Sequence, residues 1–500
     1  MINETDLNYL SPEIAMLALA IIIILGDLAI KNRRLLTLVT LVGLLIPTIL
    51  TINLWGTTGE GFNGALVVDQ FALFFKLLVI FSVFIVILSS QDYLHRFTRY
   101  TGEYYGLILL AATGMMLVAG TRELISTYLA LELTTFSIVA LAAFLKNKES
   151  TESAIKYLIL SAVTSAVMLY GIVLVFGLTG STHFHAIADW IGNSNLSSTS
   201  LILDKGTLGD GAIGFIGFLF ILTGFGFKVA TVPFHMWIPD VYEGAPTPIT
   251  AYLSVASKAA GFAILLRVLY EVFQPIQPDW QLLIAVLAVI SMFTGNLLAI
   301  VQSNIKRMLA YSTIAHAGYI LIGVAVGTTL GQNGVLFYLA VYTITNLGAF
   351  ASIIAISNLT NSEKVSDFLG VGRVAIFPAL VLTIALVSLT GAPPTAGFIG
   401  KIYLFNAAVQ SGYAWLAIVG VINSVISAYY YWKVIRVMYQ SSNASTDASN
   451  NLNGHKISVS LNISLGITLV GILLLGIAPD WILGFVENAV AIVQTTYPTA

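Results

Sequence analysis

Apolar residues in this chain come in long unbroken blocks. Neither the alternation of a half-buried strand nor the narrow apolar stripe of a soluble amphipathic helix is seen. A helix needs roughly 20 apolar residues to cross a bilayer, and about fourteen blocks reach that length. They run near 11–30, 35–55, 71–90, 105–120, 123–145, 154–179, 211–238, 247–270, 280–301, 308–327, 334–357, 375–409, 413–438 and 459–486. In lipid only helices and closed barrels satisfy every backbone polar group, and the barrel pattern is absent, so the blocks are expected as helices. The first ten residues, MINETDLNYL, are acidic and do not read as a cleavable signal peptide. Residues 181–210 are polar and read as an external loop, and 440–458 as a flexible cytoplasmic linker. The expected fold is an all-α polytopic membrane protein, 1–500 forming a single membrane domain with no soluble part.

Charge patterning adds an orientation. Lys31, Arg33 and Arg34 follow the first block, Arg96 and Arg99 the third, and Lys146 and Lys148 the fifth. Lys306 and Arg307, then Lys364 and Arg373, then Lys433, Arg436 and Lys456 follow the ninth, eleventh and thirteenth. The opposite loops hold Glu60, Asp189, Asp204, Asp210, Glu271 and Asp279, with Arg122 and Lys205 as their basic members. The excess of Lys and Arg marks the cytoplasmic side, which leaves both termini outside a cell membrane. Composition agrees with the pattern: 57% of residues are hydrophobic and 9% charged, where a soluble domain has about 25% charged. A net charge of −2 argues against nucleic acid as a partner. With 0 cysteines there is no disulfide frame, thiolate metal site or Cys-ligated iron–sulfur cluster in the chain.

Several charges fall inside the apolar blocks, where a charge costs about 2.5–3.5 kcal/mol even on lenient scales. Such residues face polar interiors and mark ion or proton paths, unless they lie near an end and snorkel. Glu132 sits about 15 Å into the fifth block at 1.5 Å per residue, too deep for a short side chain to escape. Glu123 lies at the start of that helix on the opposite face and reads as a capping carboxylate. Lys258 is also near the midplane, among the small residues Ser254, Ala256, Ser257, Ala259, Ala260 and Gly261. Arg267, nearer the end of the same block, is expected to snorkel, and Lys76 fits either reading.

Lys228 and Lys401 sit beside breaks. Pro233 follows Lys228 in GFGFKVATVPFHMWIP and frees the carbonyl of Val229. Pro393 and Pro394 precede Lys401 in SLTGAPPTAGFIGKIYLF and free the carbonyls of Leu389 and Thr390. Free backbone at membrane depth persists only where protein or a water-filled cavity covers it. The seventh and twelfth blocks are thus broken helices carrying a lysine, five blocks apart. That spacing points to repeats of five helices around midplane ion sites, inverted because the helix count per repeat is odd. A lysine that carries protons must at times be neutral: burial disfavours its charge and a nearby carboxylate favours it. Separating a Glu132–Lys228 pair would therefore send the lysine's proton onward.

Other features are weaker. Gly209–Gly214 matches G-x-G-x-x-G, but no strand precedes it. His183 and His185 read as solvated loop histidines. His316 shares a helix face with Ser312 and is either a relay or a buried, hydrogen-bonded histidine. His235 carries the same two readings. The many tyrosines and phenylalanines are expected as packing and interfacial belts.

The stretch KVATVPFHMWIPDVYEGAPTPITAYLSVASKAAGFAILLRV closely resembles the subunit N family of proton-translocating NADH–quinone oxidoreductase (respiratory complex I). LALELTTFSIVAL, ESAIKYLILSAVTSAVMLYG, NIKRMLAYSTIAHAGYIL and SLTGAPPTAGFIGKIYLF extend the resemblance over blocks 5 to 12. PDVYEGAPTP favours N over its sister subunits L and M, as does a lysine at 401 over M, and the chain has no room for the lateral helix of L. The resemblance implies three flanking helices over 1–104, inverted five-helix repeats over 105–272 and 280–439, and a final helix over 459–487. It implies that Glu132 pairs with Lys228, that Lys258 is the central relay and that Lys401 passes the proton to the outer exit. Lys156 matches a lysine near the pair, and His316 a position on the polar axis. It implies no cofactor in this chain, with FMN, iron–sulfur clusters and quinone on other subunits. The implied partners are the neighbouring antiporter-like subunit M, the small subunits K, J and A, the lipid bilayer and protons. The rival readings are a cation/proton antiporter subunit of the same fold and an organic-solute transporter built on inverted repeats. The near-specific loop argues against the first. Three central lysines with one glutamate, in place of one substrate pocket, argue against the second.

Overall fold

The computed structural model describes residues 3–30, 32–97, 100–193, 210–440 and 457–495. Among these, 13 helices are long and apolar enough to cross a membrane. The first eleven are α1 (Ser11–Ala29), α2 (Arg33–Asn53), α3 (Gln70–Phe97), α4 (Thr101–Gly120), α5 (Leu124–Ala142), α6 (Lys148–Thr179), α7 (Gly211–Val229), α8 (Thr247–Val272), α9 (Gln274–Ile300), α10 (Ile305–Ala325) and α11 (Thr329–Thr360). A further segment, α12, comes in two halves, Ile376–Thr390 and Ala396–Gln410. Each half is about 22 Å long at 1.5 Å per residue, too short to cross alone. Then come α13 (Ala414–Tyr439) and α14 (Val459–Ile477). The last apolar block does not end as one helix. Ala478 and Pro479 interrupt it, and α15 (Asp480–Thr495) follows. Residues 441–456 of the expected linker lie outside the described residues, as do 194–209 of the expected external loop.

The core follows from which helices are covered. The apolar window of α8 is 100% buried and those of α10 and α11 are 94% buried, against 28% for α6 and 33% for α1. The centre is therefore α8, α10 and α11, and the apolar surface of the outer helices faces what surrounds the molecule. A lone helix of this kind would be stable in lipid. What distinguishes the inner ones is their load of hydroxyls, amides and lysines, which only a protein interior can satisfy.

Both proline-marked breaks are present. The backbone leaves the helix after Val229, with Ala230 at φ 72°, and the chain re-forms a short helix at Trp237–Gly244 before α8 begins. The Val232–Pro233 and Pro393–Pro394 peptides are cis. Within α8, two π-helical turns at Leu253–Ser257 and Val268–Val272 interrupt the regular ladder.

At the end of the bundle that bears Glu60, a short antiparallel hairpin, β1 (Gly59–Gly61) and β2 (Leu66–Val68), packs on the α4–α5 connection, where Arg122 N–H donates to the Ala65 carbonyl at 2.9 Å. Here the expectation for Arg267 is corrected. It does not snorkel, because two carboxylates reach it inside the protein. Its guanidinium grips Asp69 through two bonds of 3.0 Å and meets Glu271 at 2.8 Å. Arg122 continues the cluster to Glu271 at 2.8 Å and to Glu60 at 2.9 Å. Lys76, left open by the sequence, is buried on Glu13 of α1 at 2.7 Å. Glu123 is the expected cap, its carboxylate accepting from the N–H groups of Ile125 and Ser126.

Candidate functional site: a buried polar axis

The buried lysines Lys228, Lys258 and Lys401 lie along a series of polar groups that crosses the core. At one end is Glu132 of α5, half-buried, accepting a hydrogen bond from Ser165 of α6. One helical turn further along α5, Thr135 accepts from Lys228 Nζ. Glu132 and Lys228 thus share a face of α5, but the lysine's hydrogen bond goes to the threonine. Lys228 is buried, with its ammonium 6.0 Å from the ring centre of Tyr157 and 5.9 Å from that of Phe227. Trp237 closes this aromatic wall, and its indole N–H donates to the Phe227 carbonyl at 3.1 Å, one of those left over at the break of α7. Val232 N–H, beyond the break, is taken up by Ser291 of α9 at 3.0 Å.

Helix α8 presses against α7 here. A Cβ on Gly261 would lie 3.1 Å from both Lys228 Cβ and Val229 Cγ1, so glycine at 261 sets this approach. One turn earlier on α8, Lys258 begins the regular helix after the first π turn and donates to the Thr313 carbonyl of α10 at 2.9 Å. The Thr313 hydroxyl accepts from Tyr342 of α11 at 3.0 Å. Asn346 joins Tyr342, at 3.2 Å, to Ser254 of α8, at 2.7 Å.

His316, one turn along α10 from Thr313, sits between two hydroxyls. Its Nδ1 is 2.8 Å from Tyr338 and its Nε2 is 3.1 Å from Tyr431. A neutral imidazole donates at one nitrogen and accepts at the other, so this ring is placed to take a proton from one hydroxyl and pass one to the next. Tyr431 also bonds Ser312. Beyond it, the Lys401 ammonium stands 4.4 Å from the ring centre of Tyr319. Lys401 Nζ donates to the carbonyls of Leu389 at 3.1 Å and Thr390 at 2.8 Å, the two that the prolines free, and to Ser424 at 3.0 Å. The break in α12 therefore makes the lysine's binding site. Gly391, at φ 86°, allows it, since a Cβ there would come within 2.8 Å of Lys401 Cδ.

Lys156 is placed elsewhere. It is partly exposed and bridges Glu152 at 3.0 Å and Asp240 at 2.8 Å, at the end where Arg307 also meets Asp240 and Glu243 at 2.8 Å. The tyrosine expectation is corrected in part: Tyr319, Tyr338, Tyr342, Tyr430 and Tyr431 are buried, and all five hydrogen-bond within the axis or to Asn296 beside it. Thr135, Ser165, Thr313 and Ser424 were not singled out either. Their one sequence signal is a hydroxyl inside an apolar block, which helices also satisfy internally on their own i−4 carbonyls. Among the described residues no group of three or more His, Asp and Glu is placed to hold a metal.

Discontinuous helices with a lysine at each break and a third lysine between them define a class of membrane ion-translocating protein. Residues 121–427 match the family described as NADH:quinone oxidoreductase/Mrp antiporter, TM. Within that class, the chain is 43% identical over 493 residues to the NADH-quinone oxidoreductase subunit N of Dehalococcoides mccartyi, covering 96% of this chain and 99% of the relative. The chain belongs to the subunit N family. Among solved structures it is similar to a chain of respiratory complex I from Thermus thermophilus, with TM-score 0.75, 28% identity and coverage of 95% and 98%. A chain of an archaeal membrane-bound sulfane sulfur reductase shares the fold, with TM-score 0.84, 23% identity and coverage of 98% of both chains.

Proposed function

We infer that this chain is an antiporter-like, proton-translocating membrane subunit of an NADH–quinone oxidoreductase, in which electron transfer from NADH to quinone drives protons across the membrane. The observation that carries this reading is the polar line from half-buried Glu132 through buried Lys228, Lys258 and His316 to Lys401, where five ionisable side chains that lipid would expel are held by hydroxyls and backbone carbonyls. Carbonyl and hydroxyl partners satisfy the N–H groups of each lysine without a carboxylate in direct contact. A change of charge nearby then displaces its proton along the line. Glu132, one turn from the Lys228 contact, is the group whose approach or withdrawal alters the charge on that lysine. Lys258 and His316 pass the proton on, and Lys401 delivers it outward. FMN, iron–sulfur clusters and quinone belong to other subunits in this reading. Its partners are an M-type antiporter-like subunit and small K, J and A-type membrane subunits. The termini lie on the outer face of a bacterial cell membrane, with the Lys- and Arg-rich loops inside.

The test is NADH-driven acidification of inverted membrane vesicles that hold the whole complex. Lys258→Met is expected to abolish or strongly lower acidification per NADH while the complex still assembles. Unchanged acidification in Lys228→Met, Lys258→Met and Lys401→Met alike would refute the reading. The alternative, a cation/proton antiporter subunit of the same fold, is supported instead if the chain runs alone or with other antiporter subunits on a native gel and exchanges sodium for protons without NADH.

A further inference from the structure

A polar cavity of about 670 Å³ opens at the end of the bundle that bears the Lys- and Arg-rich loops. Its walls come from both halves of the molecule and include Tyr93, Glu149, Thr247, Lys306, Ser357 and Glu363. The Ser357 hydroxyl is buried there with no hydrogen-bond partner in the protein. Polar groups in a roomy cavity of this kind are satisfied by water.

Glu363 stands where the cavity meets the core. The backbone fixes it: Ile305 N–H donates to the Glu363 carbonyl and Val365 N–H to the Ser303 carbonyl, both at 2.9 Å, which locks the α11–α12 connection onto the start of α10. Its carboxylate holds Lys306 at 2.8 Å and accepts from Thr247 at 3.3 Å and Asn304 at 3.4 Å. Lys306 is buried, and it also donates to the Ala245 carbonyl at 3.1 Å, beside the first turn of α8. Among the described residues, Lys364, Glu149, Glu243 and Tyr93 are the other ionisable groups around the cavity.

From Thr247 a polar file climbs one side of α8. At 100° per residue, Thr247, Thr250 and Ser254 fall within about 60° of one another, and Lys258 follows at the end of the first π turn. The distance covered is about 16 Å at 1.5 Å per residue. Its upper part is joined to Lys258 by the Ser254–Asn346–Tyr342–Thr313 hydrogen bonds. We propose that Glu363 is the proton-uptake carboxylate of this chain, collecting protons from the water-filled cavity and feeding them along the Thr247–Ser254 face of α8 to Lys258, with Lys306 as its latch. The carboxylate binds a proton from cavity water. The neutral acid no longer holds Lys306, whose ammonium turns to the Ala245 carbonyl and cavity water. The proton then leaves the acid oxygen toward Thr247 and the α8 file, and the carboxylate recovers its latch. The charges balance at each step, and no other reactant is needed.

This inference rests on the proton-translocating reading above, so the experiment separates the two. Whole complex in inverted vesicles is assayed for NADH oxidation and lumen acidification across a range of pH, with Lys258→Met alongside. Glu363→Gln keeps the size and hydrogen-bonding atoms but cannot titrate. It is expected to lower acidification about tenfold or more at alkaline pH, where collecting a proton limits the rate, and less at acid pH. Glu363→Asp should restore most of the loss, and Thr247→Val should reproduce it. Wild-type acidification by Glu363→Gln at every pH, beside an inactive Lys258→Met, overturns this proposal alone. A pH-independent deficit that Glu363→Asp does not relieve also overturns it. Normal acidification by Lys258→Met overturns the parent reading as well. If the Glu363→Gln complex does not assemble, Thr247→Val decides, and wild-type acidification in that variant overturns the proposal.

Discussion

Lys401 illustrates how a single side chain and a backbone defect define each other. The two carbonyls released by Pro393 and Pro394 would cost several kcal/mol unpaired in a membrane, and Lys401 Nζ takes both. Lys258 likewise donates to a backbone carbonyl, that of Thr313 within the unbroken α10. A lysine in such a place can cycle between charged and neutral, whereas an arginine stays charged. Lys258→Arg and Lys401→Arg are therefore expected to uncouple as strongly as the methionine variants, even though charge and length are kept. Acidification per NADH oxidised by assembled complex measures this. Wild-type ratios in both arginine variants would mean that fixed positive charge suffices. These lysines were legible in the sequence because charge in an apolar block is rare and costly. Their partners were not. Thr135, Thr313, Tyr342 and Ser424 belong to types that membrane helices tolerate without any role, so nothing local distinguished them.

Helices in this molecule are pinned by buried charge at one end and by surface charge at the other. Asp69, just ahead of α3, and Arg267 of α8 are both buried and doubly bonded. Removing one partner of such a pair costs about 3–5 kcal/mol, because the other charge is left in a dry site. Asp69→Asn is expected to lower the thermal midpoint of the purified complex by a correspondingly large step, and an unchanged midpoint would show the cluster to be solvated. At the opposite end, burial would raise the Asp240 carboxyl, but hydrogen bonds from Lys156 and Arg307 outweigh that and hold it below the ordinary carboxylate range. A depressed value in the fold means that the stabilisation is complete at neutral pH. It is lost as pH falls below about 4, the ordinary value, and through the lower folded one. Asp240→Asn should therefore weaken the complex at neutral pH and flatten its loss of stability in acid. Melting curves at several pH values check the sign. Arg267 shows the limit of reading one helix alone. Its place near the end of its block suggested snorkelling, and only the approach of Asp69, 198 positions away in the chain, makes the interior the better solvent.

The assembled bundle brings scattered charges onto one polar line and gathers others at its two ends. With 0 cysteines in the chain, single cysteines report sidedness against a silent background. A thiol at exposed Ser366, in the basic α11–α12 connection, is expected to react with an impermeant reagent in inverted vesicles and to be shielded in intact cells. One at exposed Thr58, beside the hairpin, should behave in the opposite way. The same labelling pattern at both sites would refute the assigned orientation.

By itself the sequence determined the class of solvent, the approximate number of spans and the two proline breaks, and it marked Glu132, Lys228, Lys258 and Lys401 as charges inside apolar blocks. Each follows from length, hydropathy and proline chemistry, which act locally along the chain. Only the tertiary structure decided what those charges touch. It put Lys228 on Thr135, Lys258 on the Thr313 carbonyl and His316 between Tyr338 and Tyr431. It also took Lys156 to the surface with Asp240. The reason is physical: a buried polar group accepts any partner of suitable geometry, and which one is within 3 Å or so depends on how distant helices pack.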